Sequence, residues 1–349
     1  MTSRLFGIAM FGALVLTSTA RAQWVPQTPG TDASFRGMSI LSPAAAWISG
    51  TKGTFAWTEN GGREWHAGHV AAASTSDFRA VHAISLDTAL LMLSSQDTGR
   101  IYRTTDRGAT WTLQYDDESK GAFLDAMAFF DSQNGLVLGD PVNGRFVILR
   151  TSDGGRHWTH APGGSLPPSL VGEGAFAASG TSLITCGARD AWFATGGASK
   201  SRVFHTSDGG QSWTVAETPI QAGTAAAGIF SLACRGNRQL VAVGGNYSKP
   251  DATAVTVARS NDGGATWTPT APSPATGFLS GVAYLDAAPS SRRMIAVGTE
   301  GTVYSLDSGI SWTRLDSFSL NVVMADGNGA AWAAGARGAV AHLTGLLPK

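Results

Sequence analysis

The sequence predicts an all-β fold, a seven-bladed β-propeller of four-stranded antiparallel blades. Three observations carry this: a motif of eight residues that recurs six times, a near-constant spacing between its copies, and two chain ends that complete each other. Each copy, here called a box, reads hydroxyl residue, any residue, Asp or Asn, any residue, Gly, two residues, Trp. The boxes are residues 58–65 (TENGGREW), 104–111 (TTDRGATW), 151–158 (TSDGGRHW), 206–213 (TSDGGQSW), 260–267 (SNDGGATW) and 305–312 (SLDSGISW). Their tryptophans are 46, 47, 55, 54 and 45 positions apart, a period that marks a propeller or an array of repeats. Composition agrees, since 44 glycines, 11 tryptophans and only 14% charged residues suit many tight turns with aromatic packing around them.

The chain opens with Arg4, an apolar run over residues 5–16 and a small polar stretch ending Ala20-Arg21-Ala22. That is the layout of a secretory leader, residues 1–22, with cleavage expected before Gln23. About 12 apolar residues are too few to span a bilayer core of roughly 30 Å. No cysteine follows the run to take a lipid, and no later segment is apolar enough to cross. The expectation is a soluble periplasmic or secreted protein, with residues 23–349 forming one propeller domain.

Within each box the side-chain oxygen of Asn60, Asp106, Asp153, Asp208, Asp262 or Asp307 is suited to accept turn N–H groups, and the glycine that follows supplies the positive φ of a tight hairpin. Trp65, Trp111, Trp158, Trp213, Trp267 and Trp312 open the next strand. Each is expected to lay its ring over the turn, burial worth about 1.5–3 kcal/mol. These are structural residues, because one carboxylate per hairpin is too few oxygen ligands for calcium. A β run precedes each box (53–57 and 146–150, for example), another run ending at glycines precedes that (45–50, 191–196, 240–244), and an alternating segment opens the unit (35–37, 78–80, 123–125). Every unit thus reads as four short strands.

After the sixth box, residues 319–324, 331–335 and 339–343 supply three strands without a box, while residues 23–28 stand ahead of the first unit with a lone Trp24. The head is therefore expected to add the fourth strand of the last blade, which removes the open edges of an unclosed array. Residues 23–349 divided by seven give about 47, in line with the Trp spacing; six blades with an irregular cap is the alternative. Cys186 and Cys234 each lie 10 residues before a Gly-Gly pair, at 196–197 and 244–245, so they occupy equivalent positions of neighbouring blades. A disulfide requires Cα atoms within about 7 Å, which the sequence leaves open. Without a CxxC pair, no redox chemistry is assigned to them.

A formal net charge of zero gives no electrostatic footprint for nucleic acid. There is no phosphate-cradling GxxxxGK[ST] and no HExxH, and among seven histidines the nearest pair, His157 and His160, lacks metal-ligand spacing. No catalytic residue, cofactor or metal is assigned, and a monomer is expected. The irregular part of the repeat lies on the face opposite the boxes, in the loops joining second to third strands and one blade to the next. Those loops carry Arg100, Asp140, Arg145 and Tyr247, and bring Arg36, Arg79, Asp125 and Glu173 toward the mouth of the central channel. Charge that is scarce elsewhere converges there, the pattern of a recognition surface. Glu173 stands out because Gly172 and Gly174 beside it allow close backbone approach.

The boxes resemble the BNR or Asp-box repeat of bacterial sialidases and related propellers. In an exported chain of seven units, forms such as TSDGGRHW and SNDGGATW look most like the photosystem II stability/assembly factor family and its relatives, over nearly all of residues 23–349. That resemblance implies a non-catalytic protein that binds an envelope or membrane protein partner, with Arg36, Arg79, Arg100 and Arg145 as a basic strip interrupted by acids. The rival is a sialidase-like glycoside hydrolase or a glycan-binding propeller. Such a hydrolase needs an arginine triad, an acid and a Tyr–Glu nucleophile. Here the usual Arg-Ile-Pro signature is absent, and of five tyrosines (102, 115, 247, 284, 304) only Tyr247 falls in a mouth loop.

Overall fold

The computed structural model describes residues 22–162, 165–250, 253–271, 276–288, 290–345 and 347. The expected leader lies outside these residues except for Ala22. The described residues form seven four-stranded antiparallel sheets and a single turn of 3-10 helix at Ala71–Ala73. Blades 1 to 6 span residues 35–69, 78–117, 124–160, 183–218, 227–269 and 281–316, and blade 7 combines residues 322–344 with Gln23–Gln27. In blades 1 to 6 the strands follow in chain order across the sheet, and the first strands of neighbouring blades pack together, which makes them the innermost.

Closure works as the chain ends suggest. Gln23–Gln27 pairs antiparallel with Val340–Thr344 as the outer strand of blade 7, with Trp24 opposite Leu343. Trp24 Nε1 donates to Thr302 Oγ1 of blade 6 at 2.8 Å, and Gln27 Oε1 accepts from Trp65 Nε1 of blade 1 at 2.9 Å. The closing strand is thereby tied to both neighbours of its blade.

The boxes are the hairpins between third and fourth strands. In blade 3 the Thr151 hydroxyl donates to Asp153 Oδ1 at 2.9 Å and accepts Gly155 N–H at 3.0 Å. Asp153 Oδ1 in turn accepts the N–H groups of Arg156 and His157 at 2.9 and 3.0 Å. The same hydroxyl-to-Asp circuit recurs in the other blades, with Asn60 serving in blade 1. Two successive residues have positive φ, and in two boxes the first is not glycine: Arg107 at 59° and Ser308 at 62°.

The apolar core is a ring of seven clusters among the described residues, one at each blade interface, since a blade has two apolar faces and each must be covered. The box tryptophans lie against their own hairpins as expected, Trp158 beside Gly155 and Trp213 beside Gly210, and they also belong to these interfaces. Trp65 meets Trp332 of blade 7 edge-on with ring centroids 5.6 Å apart, Trp111 meets Phe55 of blade 1 at 5.1 Å, and Trp158 joins Leu90 and Met92 of blade 2. Only Trp267 and Trp312 also donate to their own hairpins, at Gly264 and Gly309 carbonyls. The hairpin turns its Trp sideways because the fourth strand is outermost and the space beside it is the preceding blade. Cys186 and Cys234, on the inner edges of blades 4 and 5, are disulfide-bonded with Cα atoms 6.4 Å apart.

Candidate functional site

Four inner strands shift register near the mouth of the channel, opposite the boxes. The shifts fall between Phe35 and Gly37, Phe78 and Ala80, Leu124 and Ala126, and Ile229 and Ser231. A bulge leaves one residue outside the in-out alternation of the strand and re-aims its side chain. The residues so released are Arg36, Arg79, Asp125 and Phe230. Three of them, Arg36, Arg79 and Phe230, line one cavity of about 340 Å³ at the mouth, together with Phe176, Tyr247, Phe278, Ser280 and Asn321.

The two long box spacings lead to the same place. The 55-residue interval holds an extended connection from blade 3 to blade 4, and the 54-residue interval holds the long loop that carries Tyr247. The blade 3–4 connection is pinned at several points. Glu173, buried at 6% exposure, pairs with the Arg202 guanidinium, takes a hydrogen bond from Thr195 Oγ1 at 2.6 Å, and accepts Leu170 N–H at 2.8 Å. Asp140 Oδ1 accepts Ala175 N–H at 3.0 Å, and Gly174 and Gly196 exchange backbone hydrogen bonds. Beyond these anchors the chain reaches across the channel. Arg79 Nη1 of blade 2 donates to Ala177 O at 3.1 Å, Phe176 stacks on Phe230 of blade 5 at 3.9 Å, and Thr181 shares a 2.7 Å hydroxyl contact with Ser231. This segment floors the mouth cavity and separates it from a second cavity of about 230 Å³ on the box side, lined by His82, Met38, Met127, Met324 and Thr181. His82 stacks on Phe129, and burial lowers its pKa to about 4, so it is neutral.

Charge in the mouth is uneven. Arg79 forms an ion pair with Asp77 at 2.6 Å. Arg36 has no ion pair or hydrogen bond among the described residues, and its Nε is buried without a partner. Burial first, then the nearby Arg79, lowers its pKa, with Asp77 opposing; a guanidinium still stays charged. Asp125 is fully buried with neither oxygen partnered among the described residues, and burial, reinforced by Asp140, raises its pKa well above the usual carboxylate range despite Arg79. Burial thus biases it toward the protonated form, and no ion pair joins it to Arg36 among the described residues. The opposite wall is aromatic. Phe230 and Phe278 meet edge-on at 4.8 Å, and Tyr247, 54% exposed, lies 6.0 and 6.3 Å from them.

No family model and no curated protein matches this chain. Solved structures do share its fold. It is similar to YCF48 bound to D1 peptide, with a TM-score of 0.67 at 15% identity over 93% of this chain and 96% of that one. It is also similar to YCF48 from Cyanidioschyzon merolae, with a TM-score of 0.63 at 17% identity over 93% and 98%. At such identities the likeness speaks for the propeller and for its extent.

The sequence-derived site residues separate into four places. Arg36, Arg79 and Tyr247 come together in the mouth cavity. Asp140 and Glu173 border a shallow depression over the blade 3–4 connection, where both carboxylates already hold protein groups. Arg100 and Arg145 lie elsewhere: Arg100 pairs with Asp116 and Glu118 of its own blade, and Arg145 donates to Leu166 O beside a groove at the rim of blades 2 and 3. The basic strip is therefore not continuous; two arginines face the channel and two face the rim. Asp125 is interior, as above. Phe176, Phe230, Phe278, Ser280 and Asn321 went unpredicted, although Phe230 holds the same bulge position as Arg36 and Arg79, and the long spacings mark both loops.

Proposed function

We propose that this protein is an exported, non-catalytic binding module of the cell envelope that holds a segment of a protein partner at the channel mouth, in the manner of photosystem II assembly-factor propellers. One observation carries the reading: both overlong repeat units deliver their extra residues to a single cavity, whose Arg36 has no hydrogen-bond or ion-pair partner among the described residues. A propeller kept only for its fold has no use for such convergence, whereas recognition sites sit on loops over a rigid frame. The fold likeness to a YCF48 structure that holds a D1 peptide supports a protein partner. The leader-like residues 1–22 support export.

The test is affinity capture of the tagged protein from the envelope of its own host, read by mass spectrometry, with the Arg36→Glu/Tyr247→Ala variant as control. A protein recovered by the parent and lost in the variant at unchanged melting temperature is the expected result. Equal recovery by both would remove the mouth from the interface. Recovery of polysaccharide alone would favour a glycan ligand instead.

A further inference from the structure

We infer that the mouth cavity is a site for a small carboxylate joined to a flat apolar group. The inference rests on the mouth being the binding site and adds the chemistry of what enters it. Its size, about 340 Å³, falls at the lower end of the range of small-ligand sites. The Phe176–Ala177–Thr181 segment closes it below, so a ligand enters from the open face and ends there.

Charge selects the ligand's head. Asp77 offsets Arg79 and burial biases Asp125 toward its protonated form, which leaves the charge of Arg36 without an ion pair among the described residues. One positive charge calls for a monoanion, not a phosphate dianion. Arg36 lines the cavity, and its planar guanidinium matches the two oxygens of a carboxylate. The wall selects the tail. Phe230, Phe278 and Tyr247 form a concave aromatic surface on which a ring stacks or packs edge-on. The carboxylate has two sources, a free small acid or the terminal residue of a peptide.

The experiment titrates the purified protein with 3-phenylpropionate, its uncharged amide 3-phenylpropanamide, and the tripeptide Gly-Gly-Phe as free acid, by calorimetry at low salt. The acid is expected to bind at least about tenfold more tightly than the amide, because a charged hydrogen bond to a desolvated guanidinium is lost with the charge. Arg36→Gln should remove that preference, Arg36→Lys should keep part of it, and Tyr247→Ala should weaken acid and amide alike. Tighter binding of the tripeptide than of phenylpropionate assigns the carboxylate to a chain end, and the reverse assigns it to a free small acid. Equal binding of acid and amide, no binding by either, or an acid preference that survives Arg36→Gln overturns the inference. If host-partner capture is still lost in the Arg36→Glu/Tyr247→Ala variant, only the ligand class has failed and the mouth remains the interface.

Discussion

Trp158→Ala tests whether the box tryptophans hold blades together. The indole is 9% exposed, meets Phe129 edge-on with centroids 5.9 Å apart, and shares a cluster with Leu90 and Met92 of the preceding blade. Its Nε1 makes no hydrogen bond among the described residues, so packing is its contribution. Truncating a buried aromatic at such a junction costs about 3–5 kcal/mol, because the transfer energy is lost and a cavity remains. At about 2 °C per kcal/mol for a domain this large, the melting temperature should fall about 6–10 °C. A ring that covered only its own turn would cost about 1.5–3 kcal/mol and be independent of blade 2. The double-mutant cycle with Leu90→Ala, followed by chemical denaturation, separates the two. Coupling of about 0.5 kcal/mol or more is expected for residues that share one cavity. Strict additivity, with a single-mutant cost below about 2 kcal/mol, would refute the interface role.

Further outcomes follow from the buried and hydrogen-bonded acids and from the disulfide. The carboxylates of Asp153 and Asp262 are held at about 2 by hydrogen bonds from box side chains and backbone, against burial that pushes the other way. A depressed pKa adds stability above the unfolded value and loses it as pH falls through the folded one. The urea midpoint should therefore drop between about pH 5 and pH 2, and Asp262→Asn should flatten part of that drop. Asp125 acts in the opposite sense: its raised pKa means that stability declines as pH rises above about 4, the unfolded chain ionising while the folded acid stays neutral. Asp125→Asn should then melt no lower than the parent at pH 8 and gain relative to pH 5; a lower melting point at pH 8 would mean an ionised, paired carboxylate. Cys186→Ser/Cys234→Ser opens a loop with a sequence separation of 48 residues, and the chain-entropy model gives a loss of about 4 kcal/mol. An unchanged denaturation midpoint would show that the bond does not constrain the unfolded chain.

The fold was legible because its signals are local and repeated. A hydroxyl, an Asp, a Gly and a Trp at fixed offsets make a hairpin whose circuit needs nothing from outside, and Trp24 beside a blade lacking a strand points to closure. Interfaces were harder to read. That Trp158 meets Leu90, or that Cys186 lies within bonding reach of Cys234, depends on how inner strands converge around an axis. The mouth was half legible. Arg36 and Arg79 stood out as charges, but Phe230 in the same bulge position passes for a core residue, since an apolar residue in a strand carries no sign of a register shift. Glu173 misled in a useful way: its flanking glycines suggested room for a ligand, whereas Gly174 pairs with Gly196, and the carboxylate belongs to Arg202, 29 residues away.

Whether Arg36 serves the fold or a ligand can be decided from its neighbours. Just ahead of the inner strands of blades 6 and 7, Ser280 and Asn321 line the same cavity and satisfy themselves. Ser280 Oγ donates to Asn321 O at 2.7 Å, and Asn321 Nδ2 donates to Phe35 O at 2.9 Å. A neutral polar side chain therefore suits this ring of positions. At Arg36 the chain instead holds a guanidinium beside a second one, with a buried Nε unpaired, an arrangement that costs stability unless something supplies an anion. Arg36→Gln should thus leave the melting temperature of the free protein unchanged or raise it, while abolishing ligand discrimination. A fall of several degrees in the ligand-free protein would show that Arg36 is part of the scaffold, and the mouth would then lose its anion-binding group.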